Sequence, residues 1–280
     1  MMKEIYPQGN MRAHWQGPLL WYTFPSLDRW ENRLLHAYSS RLGGVSQGEA
    51  ASLNLDLRRG DKVDHVRENY RRFGEAVGFD PQRLVFTQQT HTANIRVATQ
   101  EDAGKGIVKE RDYRDIDGLI TGESRLPIIT HHADCSSLFF YDPQASLIGL
   151  AHAGWRGTAL GIAAAMVRRL ESLGAKAERI IAGVGPAGGP CCYEVGEEVI
   201  PSFADCRDEQ GLVYRPVEQT PGKYWLDIPR ANRAILLQAG VPAANITLSG
   251  LCTICHDGVF YSHRRQGPTR GAMGAVMMLK

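Results

Sequence analysis

The segment THHADC, residues 130–135, gathers two histidines, a carboxylate and a cysteine directly after the apolar run LPIIT. Two more histidines share that setting at the end of an apolar stretch: His91 in FTQQTH and His152 in IGLAHAG. Strand ends bring side chains from distant sequence onto one rim of a sheet. His91, Cys135 and His152 can therefore meet, although 44 and 17 residues separate them. Two imidazoles and a thiolate suit Zn²⁺, and three protein ligands leave a fourth position open, as catalysis requires. Copper accepts the same donors. The spacing is not that of a zinc finger or ribbon. His131 and His132 compete for a ligand role, and in an extended segment they point to opposite faces. Asp134 reads as an orienting residue, a structural cap or a general base.

Other clusters carry other chemistries. CTICH, residues 252–256, matches the pattern of c-type haem attachment. That reading needs export and an open haem pocket, whereas the segment falls between two expected strands. No distant second C-x-x-C joins Cys252 and Cys255 as a Cys₄ metal set, and the adjacent pair Cys191–Cys192 is a separate nucleophile candidate. The loop GVGPAGGPCCYEV offers glycine N–H groups ahead of a helix expected to start at Cys191 or Cys192. That combination holds anions. Arg41, Arg156, Arg264 and Arg265 add planar donor forks suited to phosphate or ribose. GVGPAG lacks the surroundings of a dinucleotide-binding fingerprint.

The elements that must position these groups are legible in outline. A strand begins at residue 34 and gives way to a Gly-rich loop. Val63, Val66, Tyr70, Phe73 and Val77 recur at helical spacing, which predicts a helix over 62–78 stopped by Gly78. Strands are expected in RLVF, DGLIT, LPIIT, SSLFFYD, ASLIGLAHA, RIIAGV, NITL and GVFYSHRR. GTALGIAAAMVRRLESLG (157–174) reads as one long helix, and GPCCYEVGEEVIPSFA as the start of another. In LDIPRANRAILLQAG, Asp227 is an expected N-cap with Pro229 in the first turn. The order is mixed rather than a repeating βαβ, which implies an α+β fold with helices over a central sheet system. Residues 1–280 are read as one domain, with 1–33 an N-terminal extension packed on it.

Bulk properties narrow the classes. The 280 residues are 43% hydrophobic, enough for a substantial core. Thirty-two basic residues nearly cancel 30 acidic ones, so charge makes no case for nucleic acid. The basic pairs in LRRG, YRRF, VRRL and HRRQG read as solvated surface. No window approaches a membrane span, and the N-terminal stretch lacks the apolar run of a secretory signal. A cytoplasmic chain is expected, as a monomer or homodimer, with its six cysteines as thiols or ligands.

The ordered set SSRLGGVSQG…SLNL, Q-x-T-H, DGLIT, HADC, AHAGWRGT, GPAGGPCCYEV, LD…AN…L…G, CT and FYSHRR resembles the YfiH/LACC1 family. That family was formerly described as multicopper polyphenol oxidoreductases with a laccase domain, and is now described as purine nucleoside phosphorylases. The likeness runs from about residue 35 to the C-terminus. It implies a layered α/β domain of the CNF1/YfiH-like type. It also implies a zinc ion held at His91, Cys135 and His152, the trio chosen above from strand ends. The implied partners are phosphate and adenosine, inosine, guanosine or methylthioadenosine, with adenosine deamination as a second activity. Arg41, Asn54, Arg156, Gly185, Gly188 and Arg264 are the residues expected to hold substrate or phosphate. Asp134 and His132 are expected to join the metal trio in catalysis, as proton shuttle and acid. The chain departs from the family pattern at Thr92, where Gly is usual, at His132, and in TRGAMG, where the pattern runs toward TGR.

The alternatives are a copper-dependent phenol oxidase and a non-enzymatic metal-binding or redox-sensing protein. Reducing oxygen to water takes more than one copper. The nine histidines include no repeated H-x-H pairs to supply a second ligand set.

Overall fold

The structure is a computed structural model that describes Pro7 and residues 9–280. Residues 1–6 and 8, part of the stretch read above for a secretory signal and of the expected N-terminal extension, lie outside the described residues.

In the strand Ser136–Asp142 every residue is buried, and its side chains divide by parity. Phe139 and Tyr141 enter one apolar cluster, Leu138 and Phe140 another. A strand buried on both faces needs a layer on each side. Two six-stranded sheets supply the inner layers. One runs in space through Arg12–Gln16, Leu19–Thr23, Leu34–Ser39, Met273–Leu279, Ile128–His132 and Val85–Phe86. The other runs through Ile246–Leu248, Ile181–Val184, Ser136–Asp142, Leu147–Ala153, Gly118–Thr121 and Ile95–Val97. Pairing is antiparallel, except that Val85–Phe86, Ile246–Leu248 and Ile95–Val97 pair in parallel with their neighbours.

The sheets meet through a core that includes Tyr22, Phe24, Tyr38, Ile128, Phe139 and Ile148. Burying each such side chain contributes roughly 1.5–3 kcal/mol. The outer face of the first sheet is covered by the helix Val63–Val77, which turns Val66, Tyr70 and Phe73 inward and leaves Val63 exposed. The outer face of the second is covered by Ile162–Glu171 and Ile228–Gln238. Gly118 and Gly149 let the first of these two helices approach. A Cβ at either position would come within 2.8 Å of Met166. A smaller cluster around Val199, Phe203 and Leu226 packs beside them.

The helix over 62–78 forms as Val63–Val77, with Gly78 left-handed at its end. Asp227 caps Ile228–Gln238 by accepting from the Arg230 N–H. Other expectations are corrected. The single helix over 157–174 is two, Trp155–Ala159 and Ile162–Glu171, because Gly161 turns left-handed between them at φ 75°. No helix begins at Cys191 or Cys192. Gly189 accepts from the N–H groups of Cys192 and Tyr193 in a tight turn. A short strand, Glu194–Gly196, and a 3₁₀ segment around Pro201 follow it. GVFYSHRR is not a strand. Ser262 Oγ accepts from the Arg265 N–H and caps a four-residue helix, His263–Gln266. The strands Arg12–Gln16, Leu19–Thr23 and Met273–Leu279 were not anticipated. No described helix is long and apolar enough to cross a membrane.

Candidate active site

THHADC is where the chain leaves one sheet and enters the other. Ile128–His132 ends in the first sheet and Ser136–Asp142 begins in the second. Asp134 makes the turn at φ 78°, a left-handed conformation. Cys135 thus stands at the junction. His152 lies in Leu147–Ala153, paired in register with Ser137, and so faces the same rim. His91 follows the strand Val85–Phe86 and is itself left-handed, at φ 67°. One ligand atom from each of His91, Cys135 and His152 lies within 4.8 Å of the others. Cys135 Sγ is 3.9 Å from His91 Nε2. Gly154 leaves room for this convergence, since a Cβ there would lie 2.8 Å from both Cys135 Sγ and His91 Cδ2.

Asp117, in DGLIT, organises the trio and was not among the residues singled out from sequence. His152 Nδ1 donates to Asp117 Oδ1 at 2.9 Å, which leaves Nε2 as the ligand nitrogen. The same carboxylate accepts the backbone N–H groups of Thr90, His91 and Thr92 and the Thr92 hydroxyl. Asp117 is fully buried. Burial raises its pKa, but His152 and the loop N–H groups outweigh that and lower it to about 2. Thr92, which departs from the family's usual Gly, is therefore one of the carboxylate's donors.

Burial alone would raise the Cys135 thiol. The adjacent His152 and His91 imidazoles reverse this and bring it to about 6. Burial lowers His152, and Cys135 with Asp117 overcome it, to about 9. The donor set is thus a sulfur that gives up its proton readily, between two imidazoles, one of them oriented by a carboxylate. It fits a zinc ion with one open position. Among the described residues the other group able to hold a metal is all cysteine, so no second histidine-bearing copper site stands beside this one.

The paired histidines separate as an extended segment requires. His131 faces the covering helix and donates from Nε2 to the Tyr70 hydroxyl, which itself donates to the Leu55 carbonyl. His132 faces the inter-sheet core. Its Nδ1 donates to the Cys135 carbonyl and its Nε2 accepts from Thr130 Oγ1. Burial first, then His152, holds His132 neutral with both nitrogens engaged, so it has no proton free for a leaving group. Asp134 is occupied too. Its Oδ1 accepts from Thr253 Oγ1, and its Oδ2 from Ser262 Oγ and the Arg264 N–H. Of the three roles read for Asp134, these bonds describe the structural cap.

The trio opens onto a cleft of about 430 Å³ whose lining includes five arginines, Arg58, Arg59, Arg156, Arg264 and Arg270. Two carboxylates, Asp56 and Asp134, share it. Trp155 and Tyr193 present rings there, stacked by Arg156 and Arg264 at 4.3 and 4.9 Å. Arg58 and Arg59, read as solvated surface, instead line this cleft and are anchored by Asp56. Arg270, from TRGAMG, is 6% exposed. Its Nη1 donates to the Gly271 carbonyl, and its Nε meets no protein acceptor. Burial, with Arg59 nearby, lowers it to about 10, so it stays charged at neutral pH.

Other expected phosphate holders lie elsewhere. The Arg41 guanidinium is engaged by the Ala51 and Asp257 carbonyls and stacks on Tyr261. Asn54 sits behind the wall, where its Oδ1 accepts from the N–H groups of Asp56 and Ala272. Arg265 donates to the Ile254 carbonyl. The N–H groups of Gly185, Ala187 and Gly188 donate to the carbonyls of Ser137, Leu251 and Asp134. The GVGPAGG loop is therefore a structural turn with no N–H of these three left for an anion. Arg58 and Arg59 carried a signal in sequence as a basic pair, and Arg270 as a single arginine beside glycine. Only the fold says which such pairs face a cleft.

A family model described as multi-copper polyphenol oxidoreductase laccase matches residues 35–280. The chain is 42% identical over 245 residues to a protein of Geobacillus stearothermophilus named purine nucleoside phosphorylase YlmD, covering 85% of this chain and 88% of that one. It is 35% identical over 240 residues to a protein of an unknown prokaryotic organism named adenosine deaminase RL5, covering 85% and 91%. The crystal structure of the Bacillus licheniformis hypothetical protein YfiH superposes with a TM-score of 0.88 at 33% identity, covering 96% of this chain and 99% of that one.

Proposed function

The chain belongs to the family described as multi-copper polyphenol oxidoreductase laccase, whose relatives include proteins named purine nucleoside phosphorylase, and on that premise we propose that it is a purine nucleoside phosphorylase. The observation that carries this reading is the His91–Cys135–His152 trio, partly to fully buried, in an arginine-lined cleft. The substrates are phosphate with adenosine, inosine, guanosine or methylthioadenosine. A phosphate oxygen bonds to ribose C1′, the C1′–N9 bond breaks, and the purine leaves with the bond's electron pair and takes up a proton.

This chain's residues supply what that reaction needs. Five cleft arginines against two carboxylates favour an anion, and the Arg270 guanidinium is one of the five. Fixed cations also stabilise phosphate as it attacks. Trp155 and Tyr193 offer faces against which a purine stacks. Asp117 holds His152 in one tautomer and the His91 loop in place. His91, Cys135 and His152 would hold a zinc ion, which would supply Lewis acidity at one open position for phosphorolysis or for adenosine deamination.

The test is to incubate metal-quantified protein with inosine, with and without phosphate, and to follow hypoxanthine. Release that requires phosphate supports the reading, and no release from zinc-loaded protein overturns it. Adenosine without phosphate tests deamination separately, through inosine formation.

A further inference from the structure

The four cysteines that the sequence presents as two unrelated pairs come together. Cys191, Cys192, Cys252 and Cys255 all carry free thiols, and their sulfurs lie within 4.8 Å of one another. Cys255 Sγ is 3.3 Å from both Cys191 Sγ and Cys192 Sγ. Four thiolates around a tetrahedral zinc, each about 2.3 Å from it, stand about 3.8 Å apart, so the observed spread brackets the required edge. The turn over Gly189 projects both adjacent cysteines toward the C-x-x-C, which is why a second C-x-x-C is not needed. Gly189 donates its N–H to Cys252 Sγ at 3.3 Å, the kind of outer bond that orients a thiolate ligand. The two segments are tied by Ala187 N–H to the Leu251 carbonyl and by Thr253 N–H to the Ala187 carbonyl.

We infer that Cys191, Cys192, Cys252 and Cys255 bind a second, structural Zn²⁺ ion, distinct from the His91–Cys135–His152 centre. Each thiol releases its proton to solvent as the ion binds, and four protein ligands close the coordination sphere, so the site does no chemistry of its own. Its role is to clip two segments that build the cleft wall. One runs directly into Tyr193. The other carries Thr253, which holds Asp134 at 2.6 Å, and leads to Arg264, whose Nη1 donates to the Glu194 carbonyl at 2.7 Å. The ion joins cysteines 64 residues apart, closing a long loop of chain.

Zinc is measured per chain, by mass spectrometry of elements, in protein purified under reducing conditions and dialysed. About two ions are expected in the wild type and about one in His91→Ala/Cys135→Ala. The latter, loaded with Co²⁺, shows near-ultraviolet sulfur-to-cobalt bands with the intensity of about four thiolates. Cys191→Ser/Cys255→Ser retains about one zinc and raises KM through the loosened wall. If that variant does not fold, the wild-type count and the cobalt spectrum still decide. A His91→Ala/Cys135→Ala protein that takes up neither zinc nor cobalt overturns the inference. So does a metal-free wild type with Cys255 in a disulfide to Cys191 or Cys192.

Discussion

His152 Nδ1 and Asp117 Oδ1 are 2.9 Å apart, and that carboxylate also accepts the backbone N–H of His91 at 3.1 Å. One side chain therefore fixes the tautomer of one proposed metal ligand and the backbone of another. Asp117→Asn replaces one oxygen of a carboxylate that accepts from five donors with an NH₂ group that accepts from none. The variant is expected to bind zinc about 10–100-fold more weakly in a competition titration with a chromophoric chelator. Unchanged affinity would refute the role given to Asp117.

His91 holds a left-handed backbone at φ 67°, a conformation that costs a residue with a Cβ roughly 1–2 kcal/mol. Both His91→Ala and His91→Gly remove the ligand, but only glycine relieves the backbone. In metal-free protein, His91→Gly is expected to be more stable than His91→Ala by about 1 kcal/mol in urea unfolding. Equal stability of the two would mean that the loop does not hold this conformation.

Arg270 lines the cleft as a charged guanidinium, and phosphate is the ligand it is proposed to meet. Arg270→Met removes a charged hydrogen bond worth about 1.5–3 kcal/mol. KM for phosphate is expected to rise about 10–100-fold with KM for inosine little changed. A rise confined to inosine would place phosphate elsewhere in the cleft.

The convergence of His91, Cys135 and His152 was legible because apolar runs are readable as strands, and each of the three lies near the end of one or just beyond it. Their orienting partner was not. Asp117 precedes a short strand and looks like any turn residue until the sheet sets it beside His152. The phosphate loop failed for a related reason. Glycine N–H groups signal an anion only if the fold leaves them unbonded, and here Gly185 and Gly188 are bonded to Ser137 and Asp134. Arg58 and Arg59 looked like surface because pair spacing carries no direction, while the Asp56 that turns them inward is visible only in three dimensions. In the fold, periodicity found the helix Val63–Val77, but one glycine split the helix expected over 157–174.

His36 lies between the sheets, away from the trio, and its Nε2 accepts the Phe24 N–H, which only a neutral ring can do. Burial first, then nearby His14, lowers its pKa to about 3, against about 6.5 in an unfolded chain. Between those values the unfolded state binds a proton that the folded state refuses. Stability is thus intact above about pH 6.5 and falls as pH drops toward 3, at up to about 1.4 kcal/mol per pH unit for this group. His36→Gln keeps an acceptor for Phe24 and cannot titrate. Its unfolding free energy, followed between pH 6 and 4, is expected to fall less steeply than the wild type's by about one proton. Parallel curves would show that His36 titrates alike in both states.

The most direct test of the account is ³¹P NMR of inosine and phosphate with zinc-loaded protein, run beside Cys135→Ala. The wild type is predicted to convert phosphate into a phosphomonoester, ribose 1-phosphate, one for one with hypoxanthine, while Cys135→Ala leaves the phosphate resonance unchanged. Hypoxanthine released without the phosphomonoester, or the same conversion rate in Cys135→Ala, would contradict it.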